Sequence, residues 1–227
     1  QEYEAVRDAF RRLVKWWGNS AERKDLIEEI ITLRASFLID RALRGLRIDF
    51  DRALDILRSR NAFTSAREQQ QHEILVAAVE NLIDFAVAEE MTMLGALPEQ
   101  VSETNLAECE EVCRRYNLVY AQKENEQVGL AAVMAAWWMA VSEDTLVTFM
   151  TQGDERVRPW HLSFEGVSYR KSEFPPELIP PIEWGCRCYL VANGFASVHA
   201  SVSRSSGHRK VDPVFRESLA TLSLIHI

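Results

Sequence analysis

Apolar residues in the first 140 positions recur every three or four residues, which is the period of an α-helix that buries one face. Five segments carry this spacing: 6–17, 21–60, 65–94, 104–115 and 125–141. Gly18-Asn19-Ser20 ends the first segment, and the second predicts one long or once-broken helix. Ser65 and Glu68 match a capping box, in which each side chain satisfies a free amide at the start of a helix.

The pattern changes after residue 150. Six of the seven prolines follow this position, and proline removes a backbone donor and disfavours helix in the residue before it. Two short segments suited to β-strands, 167–169 and 188–191, flank a proline-rich stretch at 174–181. The sequence therefore predicts a mainly α N-terminal helical region followed by a small α+β module.

The same change in pattern sets the expected boundaries. We expect an elongated helical region at 1–150, the α+β module at 151–194 and a Ser-rich tail or truncated segment at 195–221. The last six residues, 222–227, match the translation of a sequencing-library adapter, which indicates an artefact at the end of a metagenomic fragment. Because the sequence starts with Gln1 rather than Met, we expect it to begin inside a longer protein.

Composition and charge narrow the class of protein. Apolar residues make up 47% and charged residues 26% of the chain, as in an ordinary globular protein. The net charge is −8 and the acidic excess lies in the first 150 residues, so charge does not support contact with DNA. The longest apolar run, 128–141, has 14 residues, whereas a bilayer span needs about 20. We expect a soluble chain without membrane contact, in a reducing intracellular setting.

Familiar catalytic and nucleotide-binding motifs are missing from the sequence. It contains no P-loop, no dinucleotide-binding G-x-G-x-x-G, no H-E-x-x-H and no G-x-S-x-G. Cys109 and Cys113 lie four residues apart on one predicted helical face, where a metal could in principle bind. We expect them instead to be two small buried side chains of the core.

Acidic, basic, histidine and cysteine side chains are concentrated in one stretch of the predicted module. These residues are, in order, Thr151, Asp154, Glu155, Arg156, Arg158, His161, Gly166, Cys186, Arg187 and Cys188. We expect Asp154 to cap backbone amides and Pro159 to start the short helix that carries the histidine. Arg156 and Arg158 would leave the same side of an extended backbone, towards nearby carboxylates. A charged structural network, a metal site and a catalytic site are all compatible with these residues.

The order of these residues resembles the phage Mu F-like family of minor head proteins, also called head morphogenesis proteins. The resemblance is carried by T-x-x-D-E-R-V-R-x-x-H from Thr151 to His161, by Gly166, Phe174 and Pro180-Pro181, and by the closing C-R-C at 186–188. It covers about 40 of the 227 residues. The chain departs from the family pattern at Phe149-Met150, where tryptophan is frequent, and at Trp184-Gly185, where asparagine precedes C-R-C.

The resemblance implies a phage minor head protein that acts in procapsid assembly and head morphogenesis near the portal. Its implied partners are the portal and capsid or scaffold proteins, its location is the virion after assembly in the host cytoplasm, and its role is structural rather than enzymatic. The implied motif network consists of Thr151, Asp154, Glu155, Arg156, Arg158, His161, Gly166 and Arg187.

Two alternatives to this function stay open at the level of the sequence. One is a phage-associated toxin or metal-dependent nuclease-like enzyme, in which Asp154, Glu155 and His161 would transfer protons or activate a metal. The other is a metal-stabilised binding module without a virion role.

Cys186 and Cys188 lie two residues apart where a strand is predicted, so both side chains should leave the same face. Extended chain separates such Cα atoms by roughly 6.5 Å, near the upper limit for a disulfide, and we therefore expect reduced thiols. They are either two packed thiols or ligands of a zinc ion, with His161 and an oxygen of Asp154 or Glu155 completing the set. Zinc is the one cofactor that the sequence suggests.

Overall fold

The computed structural model describes residues 1–59 and 62–193. The expected tail at 195–221 and the terminal segment at 222–227 lie outside the described residues. The chain forms two compact units, each built from two separate parts of the sequence. Unit 1 comprises Gln1–Arg41 and Ala78–Glu126, and unit 2 comprises the described residues of the range 42–77 and those from Gln127 onwards.

Helices dominate the described residues up to position 140, as the apolar spacing predicts. The α-helices are α1 (Glu2–Lys15), α2 (Ser20–Leu46), α3 (Phe50–Arg58), α4 (Ala66–Gly95), α5 (Leu106–Arg114), α6 (Ala121–Ala140) and α7 (Pro159–Leu162). A π-helical segment, Arg115–Tyr120, joins α5 to α6, and short 3₁₀ turns lie at Glu103–Asn105, Lys171–Glu173 and Pro176–Leu178. No described helix combines the length and the hydropathy needed to cross a membrane.

The long second segment is broken once, between α2 and α3. Arg47 adopts a left-handed backbone conformation with φ of 58°, which ends α2. Asp49 then starts α3, because its side chain accepts a hydrogen bond from the Arg52 amide at 2.9 Å. The capping box before α4 is formed in half: Ser65 accepts from the Glu68 amide, whereas the Glu68 carboxylate accepts from the Thr64 amide at 2.8 Å.

A three-stranded antiparallel sheet follows α6 and completes the predicted mainly α fold with a small α+β module. Its strands are β1 (Leu146–Met150), β2 (Ser168–Arg170) and β3 (Tyr189–Asn193), in the order β2-β1-β3. Val147 pairs with Tyr169 on one side, and Thr148 pairs with Val191 on the other.

The central strand β1 was not predicted and lies before position 151, where we placed the start of the module. Val147, Thr148 and Phe149 are all buried, because a central strand is covered on both faces. The strand therefore lacks the polar–apolar alternation that marks a half-buried strand. Four polar residues, 142–145, separate it from the apolar segment that predicts the last helix of the N-terminal region.

Each unit has its own apolar core. Among the residues that form the core of unit 1 are Val6, Phe10, Leu13, Ile30, Met93, Cys109 and Cys113. The two cysteines are fully buried in this core, which confirms that they pack as small apolar side chains. In unit 2, the rings of Trp138 and Phe174 meet edge to face with centroids 5.6 Å apart, and Phe149 is fully buried in β1.

Candidate metal centre

Three side chains of the predicted module converge on one point. The ligand atoms of His161, Cys186 and Cys188 all lie within 4.8 Å of one another. The His161 ring and the Cys186 side chain are 2% exposed, and Nδ1 of His161 lies 3.3 Å from Sγ of Cys188. This group could hold a metal ion, as two sulfurs and one imidazole nitrogen form a donor set that metals of intermediate softness prefer.

Helix α7 places the histidine. It begins at Pro159, as predicted, and the His161 amide donates to the Arg158 carbonyl at 2.9 Å. The Trp160 ring meets the His161 ring edge to face at 4.2 Å, which restricts the imidazole orientation. Gly166 follows with φ of 77° and donates its amide to the Phe149 carbonyl of β1 at 2.9 Å. The helix is thereby anchored to the sheet.

A tight turn before β3 places the two cysteines. Gly185 has φ of 71°, and the Cys186 amide donates to the Glu183 carbonyl at 3.0 Å. The sulfur of Cys186 accepts hydrogen bonds from the backbone amides of Ile182 and Cys188. Both cysteines are buried whereas Arg187 is half-buried at the surface of the module, so the predicted alternation is found, although these residues lie before β3 rather than in a strand.

All four cysteines of the chain are free thiols, and the pKa values of the two in this group are shifted in opposite directions. Hydrogen bonds from the Cys188 thiol and from His161 lower the pKa of Cys186 despite its burial. The neighbouring Cys186 sulfur, together with burial, raises the pKa of Cys188. One thiolate is therefore favoured and a second is opposed by repulsion, which a bound divalent cation would relieve.

The predicted charged network exists, but it lies at the surface. Arg187 binds both carboxylate oxygens of Asp154, at 2.9 and 2.7 Å. This guanidinium holds the pKa of Asp154 below its usual value. The side chains of the pair are 31% and 42% exposed, and Glu155 and Arg156 are exposed as well. The structure does not bring Asp154 or Glu155, which the sequence suggested as a fourth ligand, into the group of ligand atoms.

Thr151 and Arg158 have structural contacts. The Thr151 amide donates to the Glu165 carboxylate at 2.6 Å, and its hydroxyl accepts from the Gly153 amide at 3.2 Å. Arg158 donates to the Trp184 carbonyl at 2.6 Å, so it ties α7 to the turn before β3. These contacts hold the loop between β1 and α7 in its conformation.

Glu183 is a site residue that the sequence did not reveal. Its Oε1 atom lies 2.6 Å from Nε of Arg158, 3.2 Å from Nε1 of Trp160 and 3.0 Å from Nε2 of His161. Glu183 thus contacts three residues of the segment that starts α7. Glu183 lies three residues before Cys186, but the sequence alone does not show that the turn at Gly185 brings its carboxylate to His161.

Comparisons with known proteins assign no family to the chain. No protein-family model matches it. No solved structure matches it either. A stretch of 44 residues is 46% identical to the uncharacterized protein MJ0329 of Methanocaldococcus jannaschii. This match covers 19% of the chain and 7% of the archaeal protein, so the chain corresponds to a small part of that relative's length.

Proposed function

We propose that the chain is a Mu F-like minor head protein that acts in procapsid assembly and head morphogenesis near the portal. The observation that supports this proposal is that the residues of the sequence resemblance interact with one another. Asp154 binds Arg187, and His161 contacts Cys188, so the first half of the motif is joined to its closing C-R-C. The residues of the motif then stabilise the fold of a small module, to which partners in the procapsid bind.

The pairing of the charged groups favours a structural role over a catalytic one. Asp154 is engaged by Arg187, and Glu183 is engaged by Arg158 and Trp160. A general base has to be within reach of a substrate proton, and these carboxylates are held by cations of the same module. Portal and capsid or scaffold proteins remain the proposed partners.

We further propose that His161, Cys186 and Cys188 bind a zinc ion. The described part of the module is small, and small folds commonly need a metal or other cross-link because they bury little apolar surface. A bound ion would join α7 to the turn before β3. Three protein ligands leave the fourth position of a tetrahedral site to water or to a further donor.

The zinc site is tested by elemental analysis of the whole chain purified without chelator. We expect about one equivalent of zinc, which is lost in Cys186→Ser. Cys109→Ala is the matched control, since it removes a thiol from the core of unit 1 and should keep the zinc. A zinc content below about a tenth of an equivalent in the unaltered chain would contradict the site.

The virion role is tested by gene neighbourhood and by co-purification. We expect a portal gene directly upstream in the source genome, and the chain should co-purify with the product of that gene. A gene lying among host genes, with no portal or capsid gene beside it, would contradict the assembly role and favour a metal-stabilised binding module without one.

A metal-dependent nuclease-like enzyme is the second candidate, and one observation favours it. Catalytic zinc sites have three protein ligands and an open position, which is the number found here. Incubation of zinc-loaded protein with DNA and RNA tests this candidate, with Cys188→Ser as the control. Cleavage by the unaltered chain that disappears in the variant would replace the structural role with an enzymatic one.

A further inference from the structure

The two ring nitrogens of His161 face different chemical groups. Nδ1 lies 3.3 Å from the Cys188 sulfur, whereas Nε2 lies 3.0 Å from Oε1 of Glu183. A neutral imidazole carries a proton on one nitrogen and a lone pair on the other. The tautomer therefore decides whether the ring offers its lone pair to the thiol side or to the carboxylate side.

Glu183 lies where it can determine the tautomer of His161. Its Oε1 atom forms an ion pair with Nε of Arg158 and accepts a hydrogen bond from Nε1 of Trp160, the two residues that bracket Pro159 at the start of α7. Its carboxylate is 25% exposed, while the imidazole that it faces is 2% exposed. The Oε1 atom beside this guanidinium and indole can accept a further hydrogen bond, because a carboxylate oxygen has more than one lone pair.

We propose that Glu183 is the positioning residue of the metal site: it accepts the proton of His161 Nε2 and thereby directs the Nδ1 lone pair to the ion held by Cys186 and Cys188. This role rests on the zinc site proposed above. Ligand histidines regularly donate their second ring N–H to a carboxylate, which fixes the tautomer and increases the donor strength of the ligating nitrogen.

The geometry around Nε2 supports this role over direct ligation by Glu183. Nε2 makes no aligned hydrogen bond to any of the described residues, although it is buried, so a proton on Nε2 would need an acceptor. Oε1 of Glu183, at 3.0 Å, is the acceptor within reach. In contrast, Glu183 does not belong to the group of ligand atoms that lie within 4.8 Å of one another.

Zinc affinity gives the first test. Glu183→Gln removes the charge and keeps the size, and we expect the zinc affinity, measured by competition with a chromogenic chelator, to fall about 10- to 100-fold. Zinc should still reach one equivalent at saturation, because all three ligands remain. Glu177→Gln is the matched control, since Glu177 is exposed on a neighbouring turn and its loss should leave the affinity unchanged.

Spectroscopy of the histidine nitrogens gives the second test, which a merely structural role of Glu183 would not affect. In protein labelled with ¹⁵N-histidine and loaded with ¹¹³Cd, we expect coupling of cadmium to Nδ1 of His161 and a proton on Nε2. His161→Gln assigns the signal among the five histidines.

The outcomes separate the two proposals. If the unaltered chain binds neither zinc nor cadmium, the metal site itself is wrong and the role of Glu183 falls with it. If the metal binds through Nε2, or if Glu183→Gln binds zinc as tightly as the unaltered chain, the metal site stands and only the role of Glu183 is overturned.

Discussion

The two units bury polar groups in different ways. In unit 1, the guanidinium of Arg34 is 3% exposed and contacts Glu89 at 2.9 Å, Glu124 at 2.6 Å and Asn125 at 2.8 Å. In unit 2, the group around His161 consists of thiols and an imidazole, and the arginines next to this group, Arg158 and Arg187, are partly exposed to solvent. The helices bury a charge cluster with an internal counter-ion, whereas the α+β module buries a donor set suited to a metal.

The cluster in unit 1 contains more carboxylates than one guanidinium can neutralise. Burial raises the pKa of Glu90 to about 7, although the Asn117 amide donates to its carboxylate at 3.1 Å. Burial, and then the hydrogen bond and charge of Glu89, also raise the pKa of Glu124. Burial in unit 1 therefore favours the protonated form of Glu90 and Glu124, whereas in unit 2 a bound metal would offset the charge of the thiols.

Removal of the guanidinium is expected to have the largest effect on unit 1. Arg34→Met keeps much of the side-chain volume but leaves Glu89 and Glu124 buried without their cation, which costs about 3–5 kcal/mol. Chemical denaturation at pH 7 measures this loss. Arg114→Met is the control, since Arg114 pairs with Glu111 at the exposed surface and should change little. If both variants lower the free energy of unfolding by the same amount, the burial of the Arg34 cluster does not add to the stability of unit 1.

Metal removal is the matching experiment on unit 2. With free zinc at about 100 times its dissociation constant, binding stabilises the folded chain by about 3 kcal/mol, which a chelator should remove. Thermal melting with and without chelator measures the difference, and Cys188→Ser should melt at the same temperature in both conditions. A chelator effect that persists in this variant would place the metal outside the group of His161, Cys186 and Cys188.

Stability should also depend on pH through Glu90. Its folded-state pKa is raised from 4.5 to about 7, so the folded state retains a proton that the unfolded chain releases. The resulting stabilisation is complete below about pH 4.5 and is lost as the pH rises to about 7, by no more than roughly 3 kcal/mol. Denaturation at a series of pH values measures this slope.

Two variants on the same helix sharpen the pH experiment. Glu90→Gln should flatten the dependence between about pH 5 and 7, because glutamine cannot release a proton. Glu80→Gln changes an exposed carboxylate of α4 and should keep the slope. If Glu90→Gln retains the full slope, the proton is held elsewhere in the cluster.

The helices, the break after α2 and the inward direction of Cys186 and Cys188 could be predicted because they depend on local periodicity and capping. Strand β1 could not, because burial on both faces removes its alternation. Arg34 and Glu183 were missed for a related reason: polar residues are expected at the surface, and only the packing of distant segments brings each to its partners. The contact of Arg187 with both carboxylate oxygens of Asp154 could not be predicted either, because the two residues lie 33 positions apart in the sequence.

The smallest effect is expected at Asp154, which the sequence alone suggested as part of a charged network and as one candidate for a metal ligand. Its pair with Arg187 is exposed, and exposed ion pairs contribute little because water and salt screen them. Asp154→Ala should therefore melt close to the unaltered chain and bind zinc with the same stoichiometry. Glu155→Ala, a change at the exposed neighbour, is the control for both measurements. Loss of zinc in Asp154→Ala but not in Glu155→Ala would make Asp154 a ligand after all, and the surface pair with Arg187 would then have to open when the metal binds.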